Sequence, residues 1–230
     1  MVIGNGLIGK AFKSNCLQDV IIFASGVSNS KNLDKVLFEK EWRLLKTVIS
    51  ENSNHKQLVY FSSYSIDDEQ EKESLYVKHK LQIEEYIQQN TSSYLIIRTG
   101  NIVGHSTNNH TIFNFLLNKI KNAAPFELWL NAVRNFLDID HLVLMVNELI
   151  KKGVMNEICY VLNPVDYKIT DIVAAFEKHY KINAHYTPKL KGNQIHTDKT
   201  ISSALFEELD IQQEHYFIRL IAKYCINENE

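Results

Sequence analysis

Continuous apolar runs alternate with segments of helical periodicity through the first half of the chain. The segments at residues 1–3, 19–24, 57–61 and 94–98 each contain a run of successive apolar residues, which is typical of strands buried on both faces of a sheet. Between them, the spacing of apolar residues predicts a helix that follows Gly9 and ends at about Asn15, a long helix at 33–50 and another at 76–89. This alternation predicts a doubly wound α/β fold around a parallel sheet.

The second half is less regular. Helices are predicted at 111–121, 141–151, 170–180, 200–209 and 215–224, with strand and loop at 126–140 and a strand at 157–162. Asp140 and Thr170 are the residue types that cap helix N-termini, and we expect each to cap the helix that follows it. In the long helix at 33–50, we assign the buried stripe to Val36, Leu37, Leu44, Leu45 and Val48.

Glycine-rich or polar residues follow four of the predicted strands: Gly4–Gly9, residues 25–28, Ser63 and Asn101. The carboxyl ends of parallel strands share one edge of a sheet, where ligands of such folds bind. The first segment, Gly4-Asn5-Gly6-Leu7-Ile8-Gly9, has the G-x-G-x-x-G spacing between strand and helix that brings a backbone and a helix N-terminus close to a pyrophosphate. Its alternative is an ordinary tight turn between a strand and a helix.

Ser63, Tyr76 and Lys80 can converge on one point. Ser63 ends a predicted strand, while Tyr76 and Lys80 lie one turn apart on the next helix and so share a face. In hydride transfer to or from a carbonyl, Ser63 would hold the carbonyl oxygen and Tyr76 would give or take its proton. Lys80, a nearby cation, would favour the tyrosinate. The spacing alone is also expected by chance, with a surface lysine and a half-buried tyrosine as the alternative.

Composition narrows the classes of function. The 230 residues carry a formal net charge of −2, which gives no electrostatic reason to expect a nucleic acid or membrane partner. The chain has 3 cysteines without metal-like spacing and 9 scattered histidines, so we assign no metal. No apolar run is long enough to span a membrane and no basic region precedes the apolar start, so we expect a cytoplasmic protein.

Together, these motifs resemble the extended short-chain dehydrogenase/reductase family, the NAD-dependent epimerases, dehydratases and reductases of nucleotide sugars. The glycine segment is similar to the family's cofactor loop, and Ser63, Tyr76 and Lys80 to its catalytic triad. Residues 97–104 resemble the family's Leu-Arg-x-x-Asn-Val-Tyr-Gly segment, and residues 134–140 its Arg-Asp-Phe-x-x-Val-x-Asp segment.

The resemblance implies a role for each of these positions. It implies NAD or NADP as cofactor, and a nucleotide sugar as substrate. It implies one domain over 1–230, in which residues 1–107 are mainly a truncated Rossmann-like core and 108–230 mainly a small α+β substrate lobe, interleaved with the core. The cofactor would be held by Gly4, Asn5, Gly6, Leu7, Ile8, Gly9, Ala24, Ser25, Gly26 and Lys80, and the substrate by Ser63, Tyr64, Asn101 and Arg134.

Two segments are shorter than in the family. Few residues separate the helix after Gly9 from the strand at 19–24, where the family has two further strands and a helix that hold the adenosine of the cofactor. We therefore expect a sheet that is shortened on the cofactor side. The stretch from Ser63 to Tyr76 is also short, so we expect a more open substrate site.

The resemblance favours a reductase of a nucleotide-linked keto sugar, of the kind used to build bacterial surface polysaccharides. A dehydratase of the family would have an Asp-Glu pair where this chain has Tyr64 and Ser65. An epimerase remains an alternative, as does a non-catalytic protein that binds nucleotide sugars. The helices at 33–50 and 76–89 could also form a homodimer interface through Trp42, Leu45, Ile83 and Tyr86, or simply contribute to the core.

Overall fold

Five parallel strands form the central sheet of the protein. The computed structural model describes residues 1–14, 19–27, 30–52, 56–106 and 108–225. The strands are β1 (Val2–Ile3), β2 (Val20–Phe23), β3 (Gln57–Ser63), β4 (Tyr94–Thr99), β5 (Asn101–Val103), β6 (Phe126–Trp129), β7 (Val133–Asp138), β8 (Glu157–Val161), β9 (Asp166–Lys168) and β10 (Tyr186–Lys189). The main sheet has the order β1-β2-β3-β4-β8.

Helices cover both faces of this sheet. They are α1 (Leu7–Lys13), α2 (Lys35–Asn52), α3 (Leu75–Asn90), α4 (Ile112–Lys121), α5 (Ile139–Lys151), α6 (Ile169–Tyr180), α7 (Thr200–Glu208) and α8 (Tyr216–Tyr224). Successive strand residues point to opposite faces, so Val59 and Phe61 join a core with α1 and α5, while Leu58 and Tyr60 join a core with α2 and α3. Burial on both faces explains the continuous apolar runs, and the predicted doubly wound fold is confirmed.

Two smaller sheets and several helices of the second half pack against the first core. Strands β5, β7 and β9 form one small sheet, and β6 pairs with β10 in another. The ring of Phe136 in β7 is fully buried and lies against Phe113 of α4 and Phe217 of α8. Strand β8, from the same half, joins the main sheet beside β4. None of the helices in the described ranges combines the length and hydrophobicity that crossing a bilayer requires.

The buried stripe of α2 differs from the predicted one. Its buried residues are Phe38, Glu41, Leu45, Val48 and Ile49, whereas Val36 and Leu37 are exposed. Leu45 and Val48 are buried as predicted and Leu44 is partly buried, so the prediction was wrong at Val36 and Leu37 and missed Phe38, Glu41 and Ile49. Phe38, Glu41, Leu45 and Val48 follow the three-four spacing of one helical face, and a charged residue stands in the middle of that face.

Two predicted helix caps were also wrong. Helix α5 begins earlier than predicted, because Asp138 caps it by accepting a hydrogen bond from the Asp140 backbone N–H at 2.9 Å. Helix α6 begins at Ile169, after Lys168 at the cap position, with Thr170 already inside the first turn. In both cases a strand leads straight into the helix, so the end of the strand fixes where the helix starts.

The glycine loop between β1 and α1 contains one glycine that packing requires. Gly4 has a φ of +124°, a conformation that side chains rarely adopt, and a Cβ atom there would overlap the backbone oxygen of Ala24. Gly6 is extended, with φ −74° and ψ −174°, and a Cβ atom built on it meets nothing within 4 Å. The two glycines of this loop therefore have different roles.

We expect Gly4→Ala to lower the free energy of unfolding by roughly 3 kcal/mol, because it combines backbone strain with a clash against a neighbouring strand. Gly6→Ala, in the same loop, is the matched control and should change stability by less than about 0.5 kcal/mol. Urea denaturation followed by circular dichroism measures both. Equal effects of the two substitutions would show that the clash at Gly4 is relieved by a backbone shift.

Candidate active site

A cavity of about 1400 Å³ lies at the carboxyl ends of the central strands. It brings most of the predicted site residues to one surface. Those lining it are Asn5, Gly6, Leu7, Ile8, Ala24, Ser25, Gly26, Ser63, Tyr64, Tyr76, Lys80, Asn101 and Arg134. Gly4 and Gly9 lie behind this lining, where a Cβ atom on Gly9 would come within 2.5 Å of the Gly4 carbonyl oxygen. Ser28, which belongs to the same predicted rim, lies outside the described residues.

Ser63 is the last residue of β3 and caps the 3₁₀ turn at Tyr64–Asp67. Its Oγ accepts a hydrogen bond from the Ser65 backbone N–H at 3.1 Å. That contact uses a lone pair and leaves the hydroxyl hydrogen of Ser63 to donate to a ligand. The neighbouring Ser62 Oγ is buried without a hydrogen-bond partner among the described residues, and Ser62 also lines the cavity. The end of β3 therefore offers the Ser63 hydroxyl to a ligand, whereas the Ser62 Oγ is fully buried.

Lys80 is buried in α3 and is only 3% exposed. Its Nζ donates to Glu41 Oε1 at 3.0 Å, to the Tyr60 hydroxyl at 2.7 Å and, more weakly, to the Phe61 carbonyl oxygen at 3.4 Å. An ammonium group has three N–H donors, so protein acceptors match all of them. The same Nζ lies 5.8 Å from the ring centroid of Tyr76. The predicted closeness of Tyr76 and Lys80 is therefore present, but Lys80 has a carboxylate partner.

Glu41 accepts hydrogen bonds at both carboxylate oxygens. Oε1 accepts from Lys80 Nζ and from the Tyr60 hydroxyl at 2.9 Å, and Oε2 accepts from the Val27 backbone N–H and from His79 Nε2, each at 3.0 Å. Burial by itself would raise the pKa of Glu41. The charge of Lys80 and the hydrogen bonds from His79 and Val27 outweigh burial and lower the pKa to about 2.

Tyr60 and His79 complete this buried network. Because a carboxylate can only accept, His79 must carry a hydrogen on Nε2. Burial, followed by the nearby charge of Glu41, raises the pKa of Tyr60 well above its ordinary value. The Tyr60 hydroxyl therefore stays protonated and donates to Glu41 while it accepts from Lys80.

A second group of polar side chains lies at the end of β4. The Tyr64 hydroxyl hydrogen-bonds to the Asn101 side chain and to the Asn135 backbone, and burial raises the pKa of Tyr64. Asn101 Nδ2 donates to the Asn135 carbonyl oxygen at 2.8 Å. Arg134 also lines the cavity, and its Nη1 donates to the backbone oxygens of Val133 and Asn193. The structure therefore places the three residues expected to contact only substrate, Tyr64, Asn101 and Arg134, on one side of the cavity.

The sequence analysis missed Glu41, Tyr60 and His79. A usable signal existed for Glu41, because a carboxylate at the centre of a buried helical stripe needs a buried partner. No comparable signal existed for Tyr60, which looks like an ordinary aromatic residue of a buried strand. His79 packs on the Phe38 ring with a centroid distance of 4.7 Å and would have been taken for surface in the charged segment around it.

The space beside the glycine loop suits the part of a dinucleotide that runs from the phosphates to the nicotinamide ring. Gly6 opens onto the cavity, where the space beside its Cα is free. Gly26 lies so close to Glu41 that a Cβ atom would come within 2.7 Å of Oε1, so the backbone of residues 24–27 directly forms the wall next to Lys80. This arrangement allows a flat ligand to approach the backbone closely.

A doubly wound sheet with a glycine loop after β1 and a Ser-Tyr-Lys set at the cavity defines a Rossmann-like protein of the short-chain dehydrogenase/reductase class. The family model of the "NAD dependent epimerase/dehydratase family" matches residues 4–161, more than half of the chain. The chain belongs to this family. The resemblance inferred from its motifs is therefore confirmed.

Solved structures of the same fold share little sequence with this chain. RMD from Pseudomonas aeruginosa, complexed with NADPH, is 12% identical with a TM-score of 0.71, over 95% of each chain. UDP-glucuronic acid 4-epimerase from Bacillus cereus, in complex with UDP-glucuronic acid and NAD, is 18% identical with a TM-score of 0.71, over 96% of this chain and 78% of the other. dTDP-glucose 4,6-dehydratase from Bacillus anthracis, in complex with NAD, is 13% identical with a TM-score of 0.69, over 97% and 77%.

No curated protein sequence matches the chain significantly. The family nevertheless confirms the expected class of enzyme, an NAD(P)-dependent oxidoreductase or epimerase of nucleotide sugars, and with it the expected type of cofactor. At these low sequence identities, the similarity to the solved structures establishes the fold of this chain but not its reaction. The reaction has to be inferred from the geometry of the site.

We expect Glu41→Gln to lower the free energy of unfolding at neutral pH by about 3–5 kcal/mol, because it leaves the Lys80 charge buried without its partner. Glu39→Gln, two residues earlier on an exposed part of α2, is the matched control and should change stability by less than about 0.5 kcal/mol. Urea denaturation measures both. Equal stability of the two variants would contradict the prediction, because it would mean that water solvates the Lys80 charge when Glu41 is replaced.

The same pair predicts an acid dependence. Glu41 has a pKa of about 2 in the folded protein and an ordinary value of 4.5, so its contribution is fully present above pH 4.5 and is lost as the pH falls toward 2. This loss corresponds to roughly 3 kcal/mol. The stability difference between the wild type and Glu41→Gln should therefore shrink across this range. A difference that stays constant with pH would contradict the ion pair.

Proposed function

We propose that the protein reduces the keto group of a nucleotide-linked sugar with NADH or NADPH. The observation that carries this proposal is that Ser63, Tyr76 and Lys80 line the same cavity as the glycine loop, with Lys80 Nζ 5.8 Å from the Tyr76 ring centroid. A protein that only binds a sugar has no use for a proton donor beside a lysine. The enzyme class of the family supports the same conclusion.

A reduced nicotinamide held in this cavity would supply the hydride that the keto carbon accepts. Ser63 donates its hydroxyl hydrogen to the keto oxygen and so fixes the carbonyl. Tyr76 transfers its phenolic proton to that oxygen as the hydride adds to carbon, which leaves an alcohol and a tyrosinate. Lys80, with its Nζ 5.8 Å from the Tyr76 ring centroid, brings a positive charge near the site of this proton transfer, while its ion pair with Glu41 offsets part of that charge.

Tyr64, Asn101 and Arg134 would hold the nucleotide sugar. Arg134 supplies a positive charge and Asn101 and Tyr64 supply neutral hydrogen-bonding groups, a combination suited to a diphosphate next to a sugar. These groups line the same cavity as the glycine loop, so a cofactor and a substrate could be bound in it together.

An epimerase is the second candidate, since an epimerase in complex with NAD shares the fold. An epimerase returns the hydride to the same sugar and therefore retains its cofactor. The shortened cofactor side of the sheet suits a cofactor that exchanges, which favours the reductase.

Assembly and compartment are separate parts of this proposal. We propose a cytoplasmic protein that can form a homodimer through α2 and α3. Leu45 and Ile83 belong to the interior of the chain itself, so an interface would have to use the outer surface around Trp42 and Tyr86. These two rings pack against each other in a tilted arrangement, with a centroid distance of 5.0 Å, and remain partly exposed.

We expect Tyr76→Phe to lower turnover by about 10²–10⁴-fold, because it removes the proton donor and leaves the ring packing intact. The assay follows the loss of absorbance of NADH or NADPH with a nucleoside diphosphate 4-keto-6-deoxy sugar. Tyr86→Phe on the same helix is the matched control and should retain full turnover. A fully active Tyr76→Phe variant would exclude this mechanism. A wild-type protein that binds the sugar nucleotide without consuming reduced cofactor would support a non-catalytic binding role.

A further inference from the structure

The glycine loop lies at the outer edge of the main sheet. Strand β1 pairs with β2 on one side only, and in the described ranges no strand lies on its other side. Only residues 14–19 separate α1 from β2. A crossover between parallel strands needs about a dozen residues or more. Helix α1 and residues 14–19 together are long enough for one such crossover, the one that joins β1 to β2. No further parallel strand can therefore lie between β1 and β2 in the chain, whatever the structure of these residues.

This position matters because a doubly wound sheet binds a dinucleotide across its middle. In the complete fold, with strand order 3-2-1-4-5-6, the ligand spans the crevice beside strand 1, and a residue after strand 2 contacts the adenosine ribose. Here the order starts at β1 and continues through β2, β3 and β4. The half of the sheet that would contact adenosine is reduced to one strand of two residues and the helix that follows it.

We propose that this cavity takes NADH or NADPH by the nicotinamide mononucleotide half alone, and that the adenosine half extends past β1 into solvent. The inference rests on the proposed function and specifies its cofactor. It follows that reduced nicotinamide mononucleotide is as good a ligand and hydride donor as the full dinucleotide. It also follows that NADH and NADPH are equivalent, because they differ only by a phosphate on the adenosine ribose.

The walls for the mononucleotide half are present. The backbone of residues 24–27 lies against Glu41, and Lys80 and Tyr76 line the cavity beyond it. The volume of about 1400 Å³ exceeds the usual size of a site for one small ligand and leaves space for a mononucleotide and a sugar substrate together. At the glycine loop, Gly6 has free space beside its Cα toward this cavity.

Titration calorimetry with NADH, NADPH and reduced nicotinamide mononucleotide tests the proposal directly. We expect the three dissociation constants to agree within about threefold, and AMP to leave NADH binding unchanged. A preference of about tenfold or more for either dinucleotide over the mononucleotide, or for one dinucleotide over the other, would place adenosine in contact with protein and overturn the inference. In that outcome the proposed reductase function would still stand.

A substitution at the glycine loop provides a matched test. Gly6→Val places a side chain in the free space beside the loop, in an extended conformation that valine accepts. We expect this substitution to raise the dissociation constants of NADH and of the reduced mononucleotide by the same factor, of about tenfold or more. The thermal unfolding midpoint should stay unchanged. Loss of NADH binding alone would contradict the proposal. Binding of none of the three nicotinamides to the wild type would overturn both this inference and the proposed function.

Discussion

The opposite charges of Glu41 and Lys80 meet in the interior, between the sheet and the two helices on one of its faces. Burying either charge alone would cost several kcal/mol, so each depends on the other and on the hydrogen bonds around the pair. Glu41 reaches the backbone at Val27, the hydroxyl of Tyr60 and the ring of His79. One carboxylate thus connects α2, β3, α3 and the loop after β2, and those elements form the floor and one wall of the cavity.

This pair changes what Lys80 can do. A lysine whose three donors already meet protein acceptors is held in a fixed position and acts on Tyr76 through its charge rather than through mobility. Glu41 reduces that charge. A Lys80–Glu41 ion pair therefore lies beside Tyr76, the proposed proton donor, and the Ser63 hydroxyl lies at the end of β3.

The two ends of the cavity differ in the structural elements that support them. On the proposed substrate side, Tyr64, Asn101 and Arg134 are supported by strands and loops of both halves of the chain. On the proposed cofactor side, the lining in the described part of the chain includes the loop after β1 and the loop after β2, at the border of the sheet. Such a site favours a ligand that is exchanged at each turnover over one that is permanently retained, because fewer contacts hold it.

Much of the fold and part of the site could be predicted from the sequence. Continuous apolar runs predicted the central strands, because burial on both faces leaves no polar positions. The ends of those strands predicted where the cavity would form, since parallel strands finish at the same edge. Errors arose where neighbouring elements set the outcome, as at the start of α5, where Asp138 ends β7 and caps the helix in place of Asp140.

The sequence by itself determined the α/β class and the edge of the sheet where Ser63, Tyr76 and Lys80 line the cavity, because these follow from local hydrophobic pattern and from motif order. Only the tertiary structure decided that Lys80 pairs with Glu41. These two residues are 39 positions apart, and their meeting depends on how α2 and α3 are rotated against the sheet. Local pattern cannot specify that rotation, because it results from the packing of Phe38, Leu45 and their neighbours against strands that are distant in the chain.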